Sequence, residues 1–202
     1  MATDEHSAAN GDDRKPRIRA DAKRNEEALL DAAKLVFARS GVDAPIREIA
    51  SAAGLGLGTL YRRFPTRADL VAAVFRREVD VCAAEAATLS VQFGPLEALR
   101  AWLLRYTTFL VTKQGLAAAL HSGDAAFASL PDYFRSMFEP ALSGLMTAAV
   151  EAGAIRSDIA AYDLLRAIGN LAVARGDDGP AHTESMVRLL VDGLRFGAPE
   201  PD

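Results

Sequence analysis

The side chains best placed to do chemistry lie between positions 47 and 67: Arg47, Leu57, Thr59, Tyr61, Arg62, Arg63 and Arg67. None of them forms a nucleophile beside a base, a carboxylate pair or a metal-ligand set. Their types suit recognition of a double-stranded polyanion instead. An arginine fork grips guanine at two points, which discriminates between bases by roughly 1–3 kcal/mol, and a threonine or leucine packs on a thymine methyl.

Such residues need a scaffold that points them outward together, and the segment from Ile46 to Phe64 supplies one. Pro45 suits the first position of a short helix carrying Ile46, Ile49, Ala50 and Ala53. Ala50 is small enough for two short helices to cross closely. Gly54 favours the positive φ of a tight interhelical turn. A second short helix, Leu57 to Phe64, follows and is stopped by Pro65. With Leu55, Leu60 and Phe64 plugging the angle between the helices, Leu57, Thr59, Arg62 and Arg63 face outward and Tyr61 flanks them. A second helix of this kind docks its N-terminal part in a major groove.

The charge distribution agrees. The formal net charge is −4, but Arg14 to Arg77 holds fourteen Lys and Arg against seven Asp and Glu, a net of +7. From Glu78 to the end there are nine against sixteen, a net of −7, and the first thirteen residues add four acids. A basic N-terminal third on an acidic remainder is the asymmetry expected of a nucleic-acid binder.

The rest of the chain reads as helical throughout, with few strand signals and no internal repeat. The expected architecture is all-α. It comprises a disordered tail at 1–20, a three-helix helix-turn-helix head at 21–66, and a helical sensor and dimerisation domain at 67–197. The first helix should run from Asp21 to Ser40, with Gly41 as its cap. Thr66, with Asp69 three residues on, forms a capping box that opens a long helix fading near Ser90 to Gly94. Pro95 opens the next helix. Further helices are expected at about Pro131 to Gly153, Ile159 to Arg175 and Ala181 to Phe196, for about nine in all. The single cysteine, Cys82, cannot form an intrachain disulfide, and no Cys/His cluster has zinc-ligand spacing. His121 beside Asp124 is too sparse for a metal site. No apolar run approaches the roughly 18 residues of a membrane span, and no signal peptide is apparent, so a cytoplasmic protein is expected. Arg14 to Arg19 reads as part of a solvated tail, with a minor-groove arm as the alternative.

Gly54-Leu-Gly-Leu-Gly-Thr-Leu-Tyr-Arg-Arg-Phe64 with Arg67, together with Leu29 to Phe37, Gly41 and Ile49-Ala50, resembles the signature of the TetR/AcrR repressors. The resemblance covers about Arg24 to Val74. It implies a dimeric DNA-binding regulator in which Tyr61 and Arg67 hold phosphates, while Leu57, Thr59 and Arg62 face bases. Arg63 stands where the family often has a phosphate-binding histidine. The sequence departs from the family pattern in three places. Pro45 and Gly56 replace hydroxyl-bearing caps, and Leu57 replaces a polar or basic residue, so phosphate contacts from Arg47, Arg62 and Arg63 gain weight.

In such a sensor the stripe Trp102, Tyr106 and Phe109, with Phe134 and Phe138, either packs the core or lines a pocket for a small apolar effector. Apolar stripes at Leu164, Ile168 and Leu171, and at Met186, Leu190 and Leu194, are expected to build a homodimeric four-helix bundle. The expected partners are therefore a palindromic operator in double-stranded DNA, a small-molecule effector and a second copy of the chain. No cofactor, metal or membrane is expected. Two other classes compete: a ligand-binding protein with a vestigial head, and a helical enzyme, which lacks any catalytic constellation or phosphate-cradling loop.

Overall fold

The computed structural model describes residues 14–120, 122–172 and 179–196. Among these, every regular element is a helix: α1 (Arg14–Ser40), α2 (Ile46–Ala52), α3 (Leu57–Arg63), α4 (Arg67–Gln92), α5 (Pro95–Gly115), α6 (Ala117–Leu120), a 3-10 turn (Ala125–Phe127), α7 (Leu130–Glu151), α8 (Ala161–Ala172) and α9 (Gly179–Arg195). The chain divides into two compact units, Met1–Leu70 and Val71–Asp202, with the division inside α4.

In the first unit the inner face of α1 supplies Leu29, Ala33, Val36 and Phe37, all buried at helical spacing, to a core completed by Ile49, Ala50, Leu60, Phe64 and Leu70. α1 begins seven residues earlier than Asp21, so residues 14–20, expected as tail, are helical. Pro16 does not prevent this, because a proline in the first turn sacrifices no intrahelical bond. Residues 1–13 of the expected tail lie outside the described residues, as does His121.

Thr66 and Asp69 form the capping box. The Thr66 N–H donates to the Asp69 carboxylate at 3.0 Å, and the Asp69 N–H donates to Thr66 Oγ1 at 3.0 Å. Two of the orphan donors at the start of α4 are thereby satisfied reciprocally.

The second unit is built around α5, which packs on α7, α8 and α9. Its core includes Val79, Cys82, Leu99, Leu103, Leu142, Leu145, Ile155 and Leu165. Trp102 Nε1 donates to the Cys82 carbonyl at 2.8 Å, tying α5 to α4, and Arg105 Nε meets Glu85 at 2.8 Å nearby. Leu70 and Val74 of α4 are buried, whereas Val81, at the same helical spacing, is exposed. α9 begins at Gly179, two residues before the expected Ala181, with Pro180 in its first turn. No helix among the described residues is long and apolar enough to cross a membrane.

Candidate nucleic-acid interface and its supporting unit

The turn between α2 and α3 decides how the outward residues are presented. α2 ends in a Schellman motif, in which the Gly54 N–H donates to the Ser51 carbonyl at 3.0 Å and the Leu55 N–H to the Ala50 carbonyl at 2.9 Å. Gly54 sits at φ +67°, where an L side chain would be strained. The chain then turns into α3 at Gly56. Leu60, 1% exposed, and Phe64, 5%, point into the head, and Leu55 is half-buried. Because these anchor one side of α3, the other side is left open: Leu57 is 38% exposed and Tyr61 50%, Arg62 and Arg63 are exposed, and Thr59 is half-buried.

α2 and α3 flank a concavity of about 810 Å³, lined by Pro45, Ile46, Arg47, Glu48, Ser51 and Ala52, with Leu57 and Tyr61 opposite and Arg67 at one end. Pro45 is the N-cap of α2 rather than its first residue, and neither it nor Gly56 supplies a side-chain cap bond.

Three arginines have tasks that sequence reading missed. Arg67 Nη1 donates to the carbonyls of Ala44, at 2.7 Å, and Val42, pinning the loop that leads into α2. Arg63 pairs with Glu26 of α1 at 2.5 Å. Arg39 pairs with Glu48, which screens the carboxylate in the concavity. Arg47 and Arg62 are exposed and have no acidic partner among the described residues. The net outward face is thus cationic with an apolar tip, a combination that suits phosphates and base edges together.

Residues 29–74 match the family described as bacterial regulatory proteins, tetR family, and residues 94–196 match the SbtR-like transcriptional regulator C-terminal domain. The chain belongs to the TetR family of transcriptional regulators. A TetR transcriptional regulator of Streptomyces coelicolor is 39% identical, with a TM-score of 0.72 over 84% of this chain and 98% of that one. A second, from Mycobacterium vanbaalenii, is 34% identical with a TM-score of 0.67 over 88% and 99%. An HTH-type transcriptional regulator of Staphylococcus aureus is 37% identical over 65 residues, which span 32% of this chain and 35% of that protein. The helix-turn-helix head is therefore a TetR-family DNA-binding domain.

In this TetR-family chain, the five ring residues expected to line a pocket pack on one another. Phe138 meets Phe134 at 4.8 Å, Phe109 at 5.1 Å, Tyr106 at 5.3 Å and Trp102 at 5.8 Å between centroids, all edge to face. Trp102, Tyr106, Phe109 and Phe138 are almost wholly buried, and Phe134 is half-buried. The polar ends are also occupied: the Tyr106 hydroxyl donates to the Leu165 carbonyl at 3.4 Å. Burial pushes its ionisation well above the usual phenol range. As described, these rings form a closed core.

Three of the six residues expected in the dimer stripes turn inward. Leu164, Ile168 and Leu194 are buried in the chain's own core, with Val187 and Val191, so they are not free to meet a second copy. Leu171, Met186 and Leu190 are half-buried. The outward side of α8 is polar, with Asp163, Arg166 and Asn170 exposed. The outward apolar stripe lies on α9 and its end: Met186, Leu189 at 64% exposure, Gly193 and Phe196 at 83%. The i, i+3, i+7, i+10 spacing from Met186 was the available signal. It lost out because two apolar stripes share α9 and only packing tells the inner from the outer.

Proposed function

We propose that this regulator is a repressor that binds a palindromic operator as a homodimer and is released by a small apolar effector. One observation carries the DNA half: α3 presents Leu57, Tyr61 and Arg62 on one open side, with Arg47 across the concavity and no carboxylate pairing either arginine among the described residues. Leu57 and Thr59 face thymine methyls, Arg62 faces a base edge or phosphate, and Tyr61 and Arg47 hold phosphates. In such a dimer, two-fold symmetry would set the two recognition helices in major grooves about 34 Å apart or a multiple of that. A regulator of this kind works where the chromosome is, in the cytoplasm.

The effector half rests on the aromatic cluster. An apolar effector enters by displacing ring from ring among Tyr106, Phe109, Phe134 and Phe138, exchanging one set of apolar contacts for another. The disturbance reaches the DNA through α4, which carries the Cys82 carbonyl that accepts from Trp102 and begins at Arg67. A coupling of roughly 1–3 kcal/mol, five- to 150-fold in operator affinity, is expected.

The deciding experiment measures binding of the purified protein to its own upstream DNA and to random DNA across a salt series. Selective, salt-sensitive binding is expected. Equal binding to both would favour a vestigial head, to which the missing cap bonds at Pro45 and Gly56 already lend some weight.

A further inference from the structure

The recognition segment contains three glycines in alternate positions, and the chain itself has a use for only some of them. Gly54 answers to its positive φ, and Gly56 is the N-cap of α3. Gly58 answers to nothing internal. It is the second residue of α3, its φ lies outside the positive range, it is exposed, and a Cβ built there meets no atom of the described residues within 4 Å. A glycine inside a helix is disfavoured relative to alanine, so the fold alone would favour a side chain here. Gly58 also shares a face with Arg62, four residues on, and that face is opposite buried Leu60.

We propose that Gly58 is the seating residue of the recognition helix, the point where its backbone comes closest to the groove, and that its bareness sets how deeply the helix inserts and so how sharply it discriminates sequence. This rests on the reading of α3 as the recognition helix. A methyl at this position would hold the helix off the groove floor. Hydrogen bonds to base edges weaken steeply with distance and angle and are lost first. Contacts from long arginine side chains to phosphates adapt to the change, and they carry most of the sequence-independent attraction. The loss should therefore fall on specificity.

The test uses the full chain as wild type, Gly58→Ala and Gly144→Ala. Gly144 is likewise exposed in the interior of a helix, α7, with no atom within 4 Å of a built Cβ, and it serves as the control. The probes are the tightest-binding duplex selected by the wild type from a random library, and the unselected library itself. Neither variant should melt below wild type, and Gly144→Ala should melt up to roughly 4 °C higher. Gly58→Ala should lose about tenfold or more on the selected duplex while staying within about twofold on the library. Gly144→Ala should match wild type on both. Unchanged affinity of Gly58→Ala for the selected duplex, or an equal loss on both probes, would overturn the proposal. Failure of the wild type to select any duplex would instead sink the DNA reading beneath it.

Discussion

The family resemblance implies that Arg67 is a phosphate ligand, and in the structure its Nη1 holds the carbonyls of Val42 and Ala44. The two roles separate experimentally. Arg67→Ala should lower stability by about 2 kcal/mol, since charge-assisted bonds to part-buried carbonyls are lost, and Arg67→Lys should recover part of that. If the positioning role dominates, the salt dependence of DNA binding will barely change. A drop of about one in the slope of log affinity against log salt would mark a direct phosphate contact. Cys82 offers a second residue-scale test. Burial pushes its thiol up to about 12, so it stays protonated in the native state. It should resist alkylation at pH 8–9 until the protein unfolds. The sign of the linked stability follows: the native pKa is the higher one, so this contribution is intact below about pH 8.5 and is lost as pH rises toward 12. Tyr133, raised to about 12 by burial and then by its bond to Asp80, adds to the same alkaline loss from about pH 10 upward. Denaturant midpoints between pH 8 and 11 check both.

At the scale of elements, the start of α4 is the most exposed to a single change. Asp69→Ala removes one half of the capping box and should cost about 1 kcal/mol, seen as a melting temperature lower by roughly 2–4 °C. That box was legible in the sequence because it is local: two residue types three positions apart, each satisfying the other's N–H. The same holds for Gly54 and for Pro95, where one residue's backbone preference fixes an element's edge. The start of α1 was less legible, because a proline in a basic stretch reads equally well as tail or as first turn. Least legible was which apolar stripe faces inward. Leu164 and Ile168 look like interface residues by spacing alone, and only the packing of α8 and α9 against α5 shows that they belong to the core. The aromatic stripe on α5 was ambiguous for the same reason. Its rings carry both the shape of a pocket wall and that of a filler, and neighbours distant in sequence decide between them.

For the whole molecule, the proposed two-fold assembly depends on the outer stripe of α9. Leu189→Arg should dissociate the dimer in sedimentation at micromolar concentration with little change in monomer stability, since Leu189 is mostly exposed. Ile168→Arg, by contrast, should unfold the second unit, because it places a charge where the chain leaves no solvent. A wild type that sediments as a monomer would end the dimer proposal and leave Leu189 and Phe196 as an apolar surface for some other partner.

Trp102 is the sole tryptophan, and it is wholly buried with its N–H occupied and its ring stacked on Tyr106. Its emission is therefore a private signal of the Val71–Asp202 unit, blue-shifted while that unit is folded and red-shifted when it opens. The Met1–Leu70 unit has no indole and only one tyrosine, Tyr61. A melting curve followed by tryptophan emission alone would be blind to the DNA-binding head. Far-ultraviolet dichroism, which counts every helix, should depart from the emission curve wherever the two units melt at different temperatures. An assay that relied on fluorescence to certify a folded protein could pass one whose recognition helix had already come apart.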